Sequence, residues 1–236
     1  LVFCRVGSAL LLLPALSEIY VPMQVRLLFG ILLSINITPQ LPIDVEQLLA
    51  SELGLFLYLA AELTVGLTIG LICNIALAAL HTLGGIIAMQ SGLGAASLFD
   101  ANQGSQSTVF GAFLSISAIV VMLSLDIHAA MFQALSESYE SLPIGAWANY
   151  YDQLIDGVIK TVNTAFNTAV KMSAPFIVVI SLLFLAAGVL SRLMPQLQIF
   201  FVMLPVQILI SFLLLAGLPS LLLWFAGHYS KILQMF

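Results

Sequence analysis

The chain has 236 residues, 61% of them apolar and only 7% charged. With six basic and eleven acidic side chains and a net charge of −5, it cannot cover a water-facing surface, so lipid or other apolar protein must cover much of it. Its cations (Arg5, Arg26, Lys160, Lys171, Arg192 and Lys231) are too scattered to bind a nucleic-acid backbone, and Cys4 and Cys73, set in apolar runs, suggest neither a disulfide framework nor a metal site.

A membrane span needs about 20 consecutive apolar residues. Apolar runs predict helices over 1–17, 23–38, 53–81, 108–134, 172–191 and 198–225. The expected fold is therefore all-α, one domain over 1–236 with about six hydrophobic helices. Because the chain opens on Leu1, its natural N-terminus is expected upstream. The Leu10–Leu13 run lacks the basic leader and cleavage site of a signal peptide and reads as part of a first helix. The second helix is short for a span; the third is long and must tilt, bend or rise above the bilayer. Breakers are expected at Pro22, Pro39, Pro42, Gly84 and Gly85, Pro143 with Gly145, and Pro195. The arginine turns at Arg26 and Arg192 are expected on the cytoplasmic side, although the three lysines vote the other way.

Within the third helix, Gly66 and Gly70 form a GxxxG pair, which lets two helix backbones approach closely, either inside the chain or against another subunit. Glu62 is an ionisable group inside an apolar helix. It reads either as a carboxylate bonded to a neighbour or as part of a proton relay.

Residues 82–107 are rich in Gly, Ala and Ser, too polar at their end for lipid and too apolar for a free loop. Irregular backbone survives at membrane depth only inside protein or beside water, so this stretch should pack on partners or line a cavity. Gly92-Leu93-Gly94 lacks the third glycine and the strand of a dinucleotide fingerprint. Gly92 and Gly94 are instead assigned to helix packing.

Farther on, Asp126 and His128 read either as a polar pair at a helix end or as a pH-sensitive site. Residues 150–171 predict an amphipathic helix. Its apolar face carries Leu154, Val158, Val162, Phe166 and Val170, with Ile155 and Ile159 beside them. Its polar face carries Asp152, Asp156, Lys160, Asn163, Thr164, Asn167 and Lys171, and needs water or polar partners. Pro175 should kink the helix by removing a bond to the Lys171 carbonyl. His81 and His228 stand alone, so metal binding is not expected. No nucleophile elbow, phosphate-binding loop or zinc motif is present, so neither an enzyme nor a cofactor is expected.

Four stretches resemble the FliR family of flagellar biosynthesis proteins and its SctT-type injectisome relatives. They are Val21-Pro22-Met23-Gln24-Val25-Arg26 leading to Thr38-Pro39; Met89 through Asp100; His128 followed by Leu142-Pro143-Ile144-Gly145; and Met194-Pro195-Gln196-Leu197-Gln198-Ile199-Phe200-Phe201, with Pro205 close behind. The family usually has proline where this chain has Ala101, and often Asn-Gly where it has Asp126-Ile127.

The resemblance implies a non-catalytic subunit of a type III protein export gate in the bacterial inner membrane, at the flagellar basal body, with its hydrophobic helices arranged as hairpins. It also implies a hetero-oligomer with FliP-like and FliQ-like subunits, FlhB-like and FlhA-like neighbours, contact with membrane lipid, and unfolded proteins as cargo. Flagellar and injectisome use both stay open, and a small-solute secondary transporter with Glu62 as coupling site is the competing class. By the same resemblance the loop after Asp100 is the plug of the pore. Asn102, Gly104, Ser105, Gln106 and Ser107 are small or polar and bend cheaply. Phe110 and Phe113 follow as pore candidates, or simply as bundle packing, and Met89 and Met122 are gasket candidates.

Overall fold

The computed structural model describes residues 1–18, 20–41, 52–94, 109–144, 147–194, 196 and 198–233. The elements described there are helical: α1 (Val2–Leu12), α2 (Met23–Ile37) with a 3-10 turn at Thr38–Gln40, α3 (Glu52–Gln90), α4 (Val109–Ser124), α5 (Ile127–Ser141), α6 (Trp147–Leu193), α7 (Ile199–Leu215) and α8 (Leu218–Leu233).

Several boundaries differ from the sequence expectation. The first helix ends at Leu12 because Leu13 precedes Pro14 and turns extended, with φ −61° and ψ 132°. The third continues through Gly84 and Gly85 to Gln90; without competing solvent, apolar packing outweighs the weak helix propensity of glycine. Residues 108–134 do not form one rod. Asp126, in the left-handed region at φ 56°, separates α4 from α5, and their axes differ by 77°. The amphipathic segment and the fifth apolar run fuse into the 47 residues of α6, and helical backbone continues through Pro175.

At 1.5 Å per residue α3 is about 58 Å long and α6 about 70 Å, roughly twice the hydrocarbon thickness of a bilayer. Two stretches, Gly54–Gln90 and Tyr151–Leu193, are long and apolar enough to cross a membrane. Two bent pairs, α4 with α5 and α7 with α8, are apolar enough when each is taken together. The most apolar window of the first stretch is 56% buried within the chain, but that of the second only 17%. Most of that α6 window therefore needs cover from outside the chain.

The chain divides into two compact units. The first comprises residues 1–77, 122–164 and 228–236. In it α2 lies on α1: a Cβ on Gly30 would meet Leu10 Cδ1 at 3.3 Å and Phe3 Cε2 at 3.5 Å. The α2 face carrying Leu28, Ile31, Leu32 and Ile35 is exposed. Hydroxyls in the apolar helices fold back on their own turns, Ser34 Oγ to the Gly30 carbonyl and Thr38 Oγ1 to that of Ser34, both at 2.6 Å. Asn74 donates to the Leu12 carbonyl at 3.1 Å, satisfying one of the acceptors left open at the end of α1. The Tyr229 hydroxyl donates to the Cys73 carbonyl at 3.1 Å.

The second unit comprises residues 78–121 and 165–227. Its buried positions include Leu83, Ile87, Leu114, Phe176, Ile180 and Phe225.

Along α6 the buried face is not the one expected. Thr161, Ala165, Thr168, Ala169 and Met172 are buried, while Ile155, Ile159, Val162, Phe166 and Val170 are exposed. Mostly small side chains let helix backbones close up, and bulky apolar ones are left for the surroundings, an arrangement favoured where those surroundings are not water.

Candidate functional site

Asp100, Asn102, Gly104, Ser105, Gln106 and Ser107 lie outside the described residues. What is described is the pair of anchors on either side of them, both in the second unit. On the N-terminal side α3 runs out into Ser91-Gly92-Leu93-Gly94. The Ser91 backbone donates to the Ile87 carbonyl at 2.8 Å and its hydroxyl to that of Ala88 at 3.1 Å. Gly92 then turns the chain at φ +77°, where a side chain would be strained. A Cβ there would stand 3.0 Å from Leu204 Cδ2 and 3.4 Å from the Gln207 Oε1 of α7. Gly92 is therefore a turn residue at a close approach rather than a residue of a helix face. Gly94 is close to Met89, with a would-be Cβ 3.0 Å from its Sδ.

On the C-terminal side, Phe110 is buried and its ring lies 5.8 Å from that of Phe212 on α7, tilted by 57°. Helices α3 and α4 also meet directly, since a Cβ on Gly84 would overlap the backbone of Gly111. The segment thus leaves from and returns to one frame of α3, α4 and α7. Phe113 is 53% exposed and Met89 72% exposed, whereas Met122 is buried in the other unit.

The first unit holds the ionisable residue Glu62 at a buried node. Arg5 Nε donates to Glu62 Oε2 at 2.6 Å and Nη2 to Oε1 at 2.9 Å, a two-point fork. Nη1 donates to the Ser138 carbonyl at 3.2 Å and to its hydroxyl at 3.4 Å, and Nη2 also reaches the Leu142 carbonyl at 2.9 Å. All five guanidinium donors are thereby used. The Tyr139 ring covers the cation with its centroid 4.1 Å from Cζ. Arg5 and Glu62 are each 1% exposed. One ion pair therefore joins α1 to α3, and the backbone of α5 closes it.

Gly66 and Gly70, one and two turns further along α3, make room for it: a Cβ on Gly66 would overlap the Arg5 carbonyl and the Ser8 hydroxyl. One on Gly70 would stand 2.7 Å from the Ala9 carbonyl oxygen. Asp126 is exposed and serves as the left-handed corner before α5. His128 packs edge-on to Phe132, 6.5 Å between centroids, and its Nδ1 has no partner among the described residues.

Sequence reasoning noticed Arg5 only as one of six cations. The available signal was scarcity: an arginine and a glutamate, each inside an apolar run, both need a counter-charge. Phe212 and Gln207 of α7 gave no such signal, because one more phenylalanine or glutamine among apolar residues marks nothing. Among the described residues no three His, Cys, Asp or Glu side chains gather to hold a metal. What the described residues offer is mechanical: α3, α4 and α7 form one packed frame on either side of residues 95–108.

The profile of the family described as "Bacterial export proteins, family 1" matches residues 1–232. The flagellar biosynthetic protein FliR of Caulobacter vibrioides is 30% identical over 238 residues, spanning 100% of this chain and 94% of that protein. Its namesake in Bacillus subtilis is 31% identical over 91% of this chain and 83% of its own length. That of Escherichia coli is 27% identical over 98% and 88%.

Proposed function

The chain belongs to family 1 of the bacterial export proteins, and from that premise we propose that it is a structural subunit of the flagellar type III protein export gate. The observation that carries this reading is the extent of the match, from residue 1 to residue 232, with FliR proteins similar along 94% and 83% of their own lengths. The chain's own chemistry agrees with it. The most apolar window of the second long stretch is only 17% buried by the chain itself, as expected of a subunit completed by lipid and companions.

In this proposal the companions are FliP-like and FliQ-like subunits, with FlhB-like and FlhA-like proteins adjoining, in the inner membrane at the flagellar basal body. Residues 101–107 act as the plug, carried on the frame of α3, α4 and α7. Phe110, packed on Phe212, is an anchor of that plug. Phe113 and Met89, both exposed, supply apolar surface at the constriction.

The role is architectural rather than enzymatic. Glu62, with both oxygens held by Arg5, is a structural counter-ion in this reading rather than the coupling carboxylate of a solute transporter. Removing the gene from its host tests the function. Export of filament subunits should stop and return with a plasmid copy; undiminished export without the gene would refute the proposal.

A further inference from the structure

The first unit carries a groove of about 200 Å³ along α1 and α2, closed on one side by Leu63 of α3. Its walls are apolar: Phe3, Leu11, Met23, Leu27 and Leu63 line it, each between 41% and 53% exposed. Arg26 is the sole charged side chain on the lining, and the Ser8 hydroxyl there is already committed to the Arg5 carbonyl at 3.0 Å.

The guanidinium of Arg26 is held but not neutralised. Nη2 donates to the Glu18 and Val21 carbonyls at 3.1 and 3.2 Å. Nε–H is buried and has no acceptor, and no carboxylate pairs with this cation among the described residues. Nearby, the first turn of α2 holds no acidic residue and no side-chain cap. Nε–H is sealed from solvent, so a ligand would meet the part of the guanidinium that lines the groove, and an arginine without a counter-charge favours a phosphate or carboxylate oxygen there.

We propose that this groove binds one acyl chain of an anionic phospholipid, with the lipid phosphate on the Arg26 guanidinium. The two halves of such a molecule match the two halves of the site. The apolar walls take hydrocarbon, and Arg26, which has no carboxylate partner among the described residues, takes the anionic headgroup. A soluble phosphate would leave the walls uncovered; an uncharged lipid would leave Arg26 uncompensated. Anionic lipids concentrate at a basic side chain on a membrane surface for the same electrostatic reason.

The test is native mass spectrometry of the purified protein released from nanodiscs containing equal dioleoyl-phosphatidylglycerol and dioleoyl-phosphatidylcholine. The proposal predicts selective retention of phosphatidylglycerol, reduced about tenfold in Arg26→Gln, the scale of one lost charge-assisted contact. Arg26→Lys keeps the charge and should retain part of the selectivity. Leu63→Trp, which fills the apolar end and leaves Arg26 in place, should lower retention of both lipids. Glycerol phosphate in excess should not displace the bound lipid. Equal retention by wild type and Arg26→Gln overturns the proposal. So does displacement by glycerol phosphate, which would make this a plain anion site, or lipid retention untouched by Leu63→Trp. Should Arg26→Gln fail to fold, the other two variants decide. The readout is lipid bound, not export, so this inference and the export-gate proposal fail separately.

Discussion

Glu62 on its own would be a costly residue for an apolar helix, and so would Arg5. Placed 2.6 Å apart with every guanidinium donor engaged, they form a unit whose halves cannot be removed singly. Arg5→Leu strands a carboxylate and the Ser138 and Leu142 carbonyls, and should lower stability by about 3–5 kcal/mol. The double variant Arg5→Leu with Glu62→Leu strands no charge and should recover most of that loss. Thermal unfolding in detergent, followed by tryptophan fluorescence, reads both; a double variant as damaged as the single one would contradict the account. Asp126 offers a second test. At φ 56° a glycine is unstrained, so Asp126→Gly should unfold at the same or a higher temperature. Asp126→Val should lose about 1–2 kcal/mol. Scarcity of charge made the Arg5–Glu62 pair inferable from sequence. The left-handed corner was not inferable, since nothing in Leu-Asp-Ile announces a positive φ.

For the helices, periodicity placed the apolar runs but misjudged ends and faces, and both errors have a physical cause. Gly84 and Gly85 read as a breaker. In the structure they separate by environment: a Cβ at Gly84 runs into Gly111, whereas one at Gly85 meets nothing within 4 Å. Gly85→Ala should therefore gain up to about 1 kcal/mol. Gly84→Ala should lose stability as α4 is pushed off α3. Opposite signs at adjacent positions are the expected outcome of thermal melts, and equal losses would show that the Gly84–Gly111 approach does not matter. The face of α6 was misread because an alternation of large apolar and polar residues says "inside" only when water is outside. In this chain the bulky Ile155, Ile159 and Phe166 are exposed, and small residues such as Ala165 and Ala169 are buried. If 101–107 seals a conduit, deleting these residues while keeping the Gly92 and Phe110 anchors should let small ions leak through cells that express the chain. A conductance assay showing no leak beyond that of the intact chain would remove the plug from the account.

At the level of the whole molecule, composition already required cover from outside. The 7% of charged residues cannot solvate 236 residues, and α6 leaves 83% of its apolar window unburied by the chain, the complement of the 17% that is buried. Lipid alone could supply that cover, and the Arg26 groove argues that some of it does. The proposed export-gate role gives the remainder a further source, companion subunits. The most direct measurement is the mass of the particle purified in mild detergent after co-expression with the proposed FliP-like and FliQ-like companions. The account predicts a stable hetero-oligomer containing this chain and both companions; a chain that purifies alone, monomeric and folded, would contradict it.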